Sequence, residues 1–160
     1  MLFRSVDSKG RVWYNEENSW ALGMLDPKTN TFTEYEAKST EPDEDTTIAG
    51  ARDIIIDQHD QIWLPMRKGM GTSLHRFDPA TKKSFKVEGG TGGGGFGEAD
   101  YDGKHVWIGF LRVDTKAMKV DGDFRKPKNI EPGRSAGGYG FSVNTKGNPF
   151  GTDFMGGKVM

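Results

Sequence analysis

Two acids stand where a carboxylate could hold a hard cation or take up a proton. Glu16 lies three residues after Trp13, and Asp153 lies three residues after Phe150. At the same offset from Trp63 and Trp107 the chain carries Met66 and Phe110, which would line a ligand site rather than do acid–base chemistry. Arg52 and Tyr139 occupy matching places ahead of the second and fourth of these segments, and with the two acids they make the candidate catalytic set. Arg67 and Arg134 could receive an anionic group, so Met66, Arg67, Phe110 and Arg134 form the candidate ligand-binding set. A general base is harder to find. His59 falls in a turn, His75 inside a strand and His105 just before one, so all three are expected to be solvated or structural.

These offsets have meaning because the chain repeats itself. Val6-Asp7-Ser8-Lys9-Gly10-Arg11-Val12-Trp13 is echoed by Ile56-Asp57-Gln58-His59-Asp60-Gln61-Ile62-Trp63, then by Ala99 to Trp107, then by Val143-Asn144-Thr145-Lys146-Gly147-Asn148-Pro149-Phe150. Trp13, Trp63, Trp107 and Phe150 recur at intervals of 50, 44 and 43 residues, the length of one four-stranded propeller blade. Within a copy, an apolar strand meets a turn and an alternating strand follows. Asp26-Pro27-Lys28-Thr29 and Asp78-Pro79-Ala80-Thr81 then reverse the chain after a third strand, where proline fixes φ and ends the ladder. The reading is an all-β propeller of four-stranded antiparallel blades. About three and a half blades form an open arc in one domain over 1–160, with blades near 1–37, 51–88, 97–124 and 138–160.

Several details follow from this register. The tryptophans, together with Phe32, Phe85 and Phe150, are expected to be wedges in the core. Asp114 follows Trp107 so soon that blade three should be clipped or irregular. The front and the back of the chain read as cuts through blades, as in a piece of a longer parent. An open arc leaves sheet faces uncovered, so a second copy is the expected partner, closing a ring of seven or eight blades.

Composition narrows the function. The 22 basic and 23 acidic residues nearly cancel and form no basic stripe, which argues against a nucleic-acid partner. The absence of cysteine excludes disulfides, thiolate metal sites and cysteine nucleophiles. Met1 to Gly10 has no apolar segment of signal-peptide length, and no run is long enough to span a bilayer, so a soluble chain without membrane contact is expected. The glycine-rich stretch Glu88–Gly97 precedes a strand and lacks the lysine of a phosphate loop, and Glu41-Pro42-Asp43-Glu44-Asp45 lacks EF-hand spacing. Both read as loops.

The pattern Asp-x-x-Gly-x-Val-Trp-Tyr-x-Glu, then Leu-Gly-x-Leu-Asp-Pro-x-Thr and Phe-x-Glu-Tyr, resembles the repeat of the streptogramin lyase (virginiamycin B lyase-like) propellers. It is closest in the first two copies. That resemblance implies elimination across a cyclic ester or depsipeptide, assisted by magnesium and a histidine base at the channel mouth, with Glu16 and Asp153 as the metal carboxylates. In this sequence Arg52, Gly97 and Tyr139 stand where such repeats often carry a histidine. Two other readings are a lactonase-type hydrolase with a channel calcium, and a non-catalytic propeller that holds a peptide, glycan or small molecule on its channel face.

Overall fold

The computed structural model describes residues 3–16, 20–37, 49–51, 53–68, 71–91, 96–125, 140–153 and 158–159. The described chain is all strands and turns. Blade one is β1 (Phe3–Val6), β2 (Val12–Asn15), β3 (Ala21–Asp26) and β4 (Thr31–Glu36), an antiparallel sheet in sequence order. Blade two is β5 (Ala49–Ala51) and β6 (Ile55–Ile56), both paired to β7 (Ile62–Lys68), then β8 (Gly71–Asp78) and β9 (Lys83–Thr91). Blade three is β10 (Gly97–Ala99), β11 (His105–Ile108), β12 (Leu111–Asp114) and β13 (Lys119–Asp123). Blade four shows β14 (Phe141–Val143), β15 (Pro149–Asp153) and β16 (Lys158–Val159). The innermost strands β1, β6, β10 and β14 neighbour one another in that order, which makes the array an open propeller arc. No helix among the described residues is long and apolar enough to cross a membrane.

The turn between the first two strands of each blade carries the organising contact. Asp7 Oδ1 accepts the Lys9 and Arg11 amides, at 3.0 and 2.9 Å, while its Oδ2 accepts the Trp13 indole N–H at 2.9 Å. Asp57 repeats this with His59, Gln61 and Trp63, the indole bond being 2.8 Å. Asp100 receives the Trp107 indole at 2.8 Å. One carboxylate therefore folds the turn and fixes the ring that fills the space beside the sheet. In blade four the ring is Phe150, which has no N–H to donate, and the acceptor is the uncharged Asn144, which keeps only the turn bonds to Lys146 and Asn148.

Each wedge packs on the following blade. Trp13 and Tyr35 stack at 5.5 Å and meet Ile54, Ile62 and Phe77 of blade two. Trp63 lies with Val106, Ile108 and Val113 of blade three. Trp107 reaches Phe141 of blade four at 6.4 Å. The three tryptophans are at most 1% exposed.

Two expectations are corrected. Blade three is not clipped, because Gly109 and Phe110 close the β11–β12 hairpin in two residues, with Ile108 paired to Leu111; it is irregular in its β12–β13 ladder, where the register shifts between Arg112 and Val113. Gly109 has φ of 53° at the first loop position, a conformation glycine adopts without steric cost. Phe32 and Phe150 are not core residues but 68% and 45% exposed. Phe32 lies on the face of blade one turned away from blade two, and Phe150 on the side of blade four where the next blade would pack. Phe85 is half-buried, with the Arg76 guanidinium 5.7 Å from its ring centre.

A further regularity lies in the β3–β4, β8–β9 and β12–β13 turns. Asn30, Lys82 and Met118 hold φ of 54°, 58° and 56°, each four residues after the aspartate that opens the turn. In all three turns the aspartate Oδ1 accepts the amide two residues on, from Lys28, Ala80 and Lys116, and in blade three, which has no proline here, Asp114 Oδ1 also accepts the Ala117 amide.

Burial raises the pKa of Asp7, but hydrogen bonds from Trp13 and Arg11 outweigh it, so the group sits below its usual 3.8. Its contribution to stability is therefore present above pH 3.8 and lost as the pH falls through the lower folded value. Asp7→Asn is expected to cost about 1–3 kcal/mol at neutral pH and progressively less as the pH falls below 3.8 and through the folded value, as measured by urea unfolding across that range.

Candidate functional site

The second strand of every blade ends on one rim of the arc, and among the described residues this rim holds Glu16, Met66, Phe110 and the backbone of Asp153. Glu16 is exposed there, and its amide donates to the Ala21 carbonyl at 3.3 Å to close the β2–β3 loop. Met66 is 1% exposed, packed between blades one and two with Trp13, Leu22 and Leu64. Phe110 is 6% exposed and meets Phe141 edge-on at 5.7 Å, between blades three and four. Gly151 leaves room for that ring, since a Cβ there would sit 2.8 Å from it. Arg67 lies in β7 opposite Thr72, and Asp153 in β15 opposite Lys158; the side chains of Arg67 and Asp153 lie outside the described residues, as do Arg52, Arg134 and Tyr139.

A magnesium or calcium ion wants six or more oxygen ligands. The described side chains at these positions offer one carboxylate, that of Glu16, beside a buried thioether and a buried phenyl ring. The histidines are engaged elsewhere, as their sequence context suggested. His75 is fully buried, bonded through Nε2 to Ser73 Oγ at 3.1 Å and met edge-on by Trp20 at 5.9 Å. His59 is exposed in the β6–β7 turn.

Sequence reasoning passed over a polar residue at the rim, Asn15. It is 2% exposed and its Nδ2 donates to the Ala51 carbonyl across the blade one–two junction. Beside it, Trp20, Ala37, Ala51 and Met66 form a shallow apolar dimple.

The larger concavity lies at the opposite end of the blades, a cavity of about 310 Å³ between the β10–β11 turn and the β14–β15 turn. Asp100, Asp102, His105 and Arg112 line it from blade three, and Thr145 and Lys146 from blade four. Tyr101 stands at its edge, 60% exposed. One chain of contacts shapes the wall. Asp102 Oδ2 lies 2.5 Å from His105 Nδ1, His105 Nε2 lies 3.3 Å from Asp121, and Asp121 receives Arg112 Nε at 3.0 Å. Burial pushes the Asp102 carboxyl up, yet the Lys104 amide and the His105 contacts bring it below its usual value. The hydrogen bond from Arg112 to Asp121 holds the guanidinium above its ordinary range.

The nearest ligand atoms of Asp100, Asp102 and His105 come within 4.8 Å of one another. Their oxygens already serve the protein, however. Asp100 holds the Trp107 indole, and Asp102 accepts the Lys104 amide at 2.8 Å and the His105 amide at 3.1 Å. The cluster is the blade-three form of the turn that anchors each wedge. No sequence signal marked this cavity, because its two walls come from turns 45 residues apart that meet only when blades three and four pack.

Neither a protein-family model nor a curated protein sequence matches this chain. The streptogramin lyase resemblance therefore rests on the repeat residues alone.

His105→Gln is expected to lower stability by less than about 1 kcal/mol, since its carboxylate partners are about a third exposed. Amide chemical shifts should move in both turns that wall the cavity, 100–104 and 144–148. Changes confined to the first turn would show that the two walls do not meet.

Proposed function

We propose that this chain is a binding propeller that holds a small, hydroxyl-rich ligand, such as a saccharide unit, in the cavity between blades three and four. The observation that supports this is the cavity's mixture of groups. Charges of both signs are largely paired with each other, so the wall offers hydrogen-bond donors and acceptors with little net field. Tyr101 adds an exposed aromatic face beside them, with a polar hydroxyl at its tip. Guanidinium, carboxylate, hydroxyl and ammonium groups together can each take part of a set of neighbouring hydroxyls, while a bare anion or cation would also meet a like charge close by.

Elimination on a cyclic ester or depsipeptide is the second reading. Its support is the repeat resemblance and the exposed acid Glu16 at the rim, with Asp153 as the matching acid of blade four. The apolar character of Met66 and Phe110 at the intervening positions favours the binding reading over it, and over a lactonase-type hydrolase.

Screening the chain against an immobilised glycan array, followed by calorimetry on the best binder, tests the proposal. Tyr101→Ala and Lys146→Ala should each weaken binding about tenfold or more, a loss of about 1.4 kcal/mol. Binding indifferent to both changes would overturn it. Opening of a cyclic depsipeptide that is lost in Glu16→Gln would support the elimination reading instead.

A further inference from the structure

Every interface inside the arc is built from the same two halves. One is the wedge-bearing face of a blade, and the other is a row of residues paired straight across the sheet of the blade that follows. In blade two the row is Ile56, Ile62, Phe77 and Ser84, in register across β6 to β9 and covered by Trp13 and Tyr35. In blade three it is Ala99, Val106, Val113 and Val120 across β10 to β13, within the cluster of Trp63. In blade four it begins with Val143 and Pro149.

Blade one carries the same row in the same register, Val6, Val12, Leu25 and Phe32. Here the two ends of the row are open to solvent, Val6 being 59% and Phe32 68% exposed, while Val12 and Leu25 between them are half-buried. Tyr14 lies on the same face, its ring so close over Gly23 that a Cβ there would sit 2.0 Å from it. At the other end of the arc, Phe150 takes the tryptophan's place and is 45% exposed. Among the described residues the chain thus displays both halves of one interface, each without its counterpart.

We propose that a second copy of this chain seats the Phe150 face of its blade four on the Val6–Val12–Leu25–Phe32 row, and that the reciprocal contact forms at the same time. The observation that selects this occupant is continuity with the three interfaces already inside the chain, which pair these same two surfaces. Two contacts related by a two-fold axis close the assembly, so it does not grow into a filament. Two arcs of four blades make eight, within the four to eight blades of known propellers.

The test is the solution mass of the full chain by light scattering at micromolar concentration. A mass of twice 17.7 kDa is expected. A monomer would overturn the proposal, and so would a ladder of larger masses, which means an open chain of contacts. Phe32→Asp and Phe150→Asp should each raise the dissociation constant about 30-fold or more. Both side chains are exposed, so the far-ultraviolet circular dichroism of the monomers should be unchanged. Mixing the two variants decides the geometry. Phe32→Asp keeps an intact blade-four face and Phe150→Asp an intact blade-one row, so where each single substitution abolishes the contact it touches, the mixed dimer keeps one whole contact that neither variant alone has and should be the tighter. If Phe32→Asp fails to fold, Phe32→Lys takes its place in the same mixing experiment. Mixing without effect, or a dimer unmoved by both substitutions, would overturn the proposed surfaces.

Discussion

The bond from a turn carboxylate to an indole N–H is the constraint on which this arc depends. A propeller blade is a small twisted sheet that cannot bury both faces by itself, so its neighbours must be held at a fixed spacing by side chains of one size. Trp13, Trp63 and Trp107 do this, and the aspartate six or seven residues before each holds the ring. The same carboxylates accept turn amides, so folding the local hairpin and positioning the long-range contact are one event. A buried indole without an acceptor would carry an unsatisfied donor, and a buried carboxylate without the indole would lose a partner. Asn144 and Phe150 depart from the motif together, which leaves neither cost behind.

Much of the fold was legible because this unit is short and local. The spacing of the tryptophans and the two Asp-Pro-x-Thr turns predicted four copies of one strand pattern, and the strand order follows it. Blade three was misjudged because the short count of residues between Trp107 and Asp114 was read as a missing hairpin, whereas it reflects short strands: β11 and β12 have four residues each against seven and eight in β7 and β8, and the pairs that end the two hairpins, Ile108–Leu111 and Lys68–Gly71, are equally close in sequence. The rings of Phe32 and Phe150 were assigned to the core by analogy with copies that have a neighbour on that side. Burial of a repeat residue belongs to the pair of blades, and the blade's own residues do not encode whether a neighbour is there.

The candidate site was less legible for a related reason. Strand-end positions can be aligned by eye, so Glu16, Met66 and Phe110 were found, but their aligned places gave no hint that Met66 and Phe110 pack between blades. The cavity of Asp102, His105, Arg112 and Lys146 is assembled from two turns whose meeting depends on how Trp107 and Phe110 seat blade four. Its residues look like ordinary turn and surface residues in the sequence. His105 was read as solvated or structural from its place before a strand. Its role as the link between Asp102 and Asp121 needs the register of β11, β12 and β13.

The three junctions are not alike mechanically. Between blades two and three, β9 and β13 run parallel and touch at Glu88 and Lys119, where the Glu88 amide donates to the Met118 carbonyl at 3.0 Å. Among the described residues, the other two junctions are joined only through side chains: Ser8 to Asp60 and Asn15 to Ala51 at one, Val143 to Glu98 at the other. Blades two and three therefore share a backbone bridge that the flanking junctions lack among the described residues, and the cavity between blades three and four straddles a junction held by side chains.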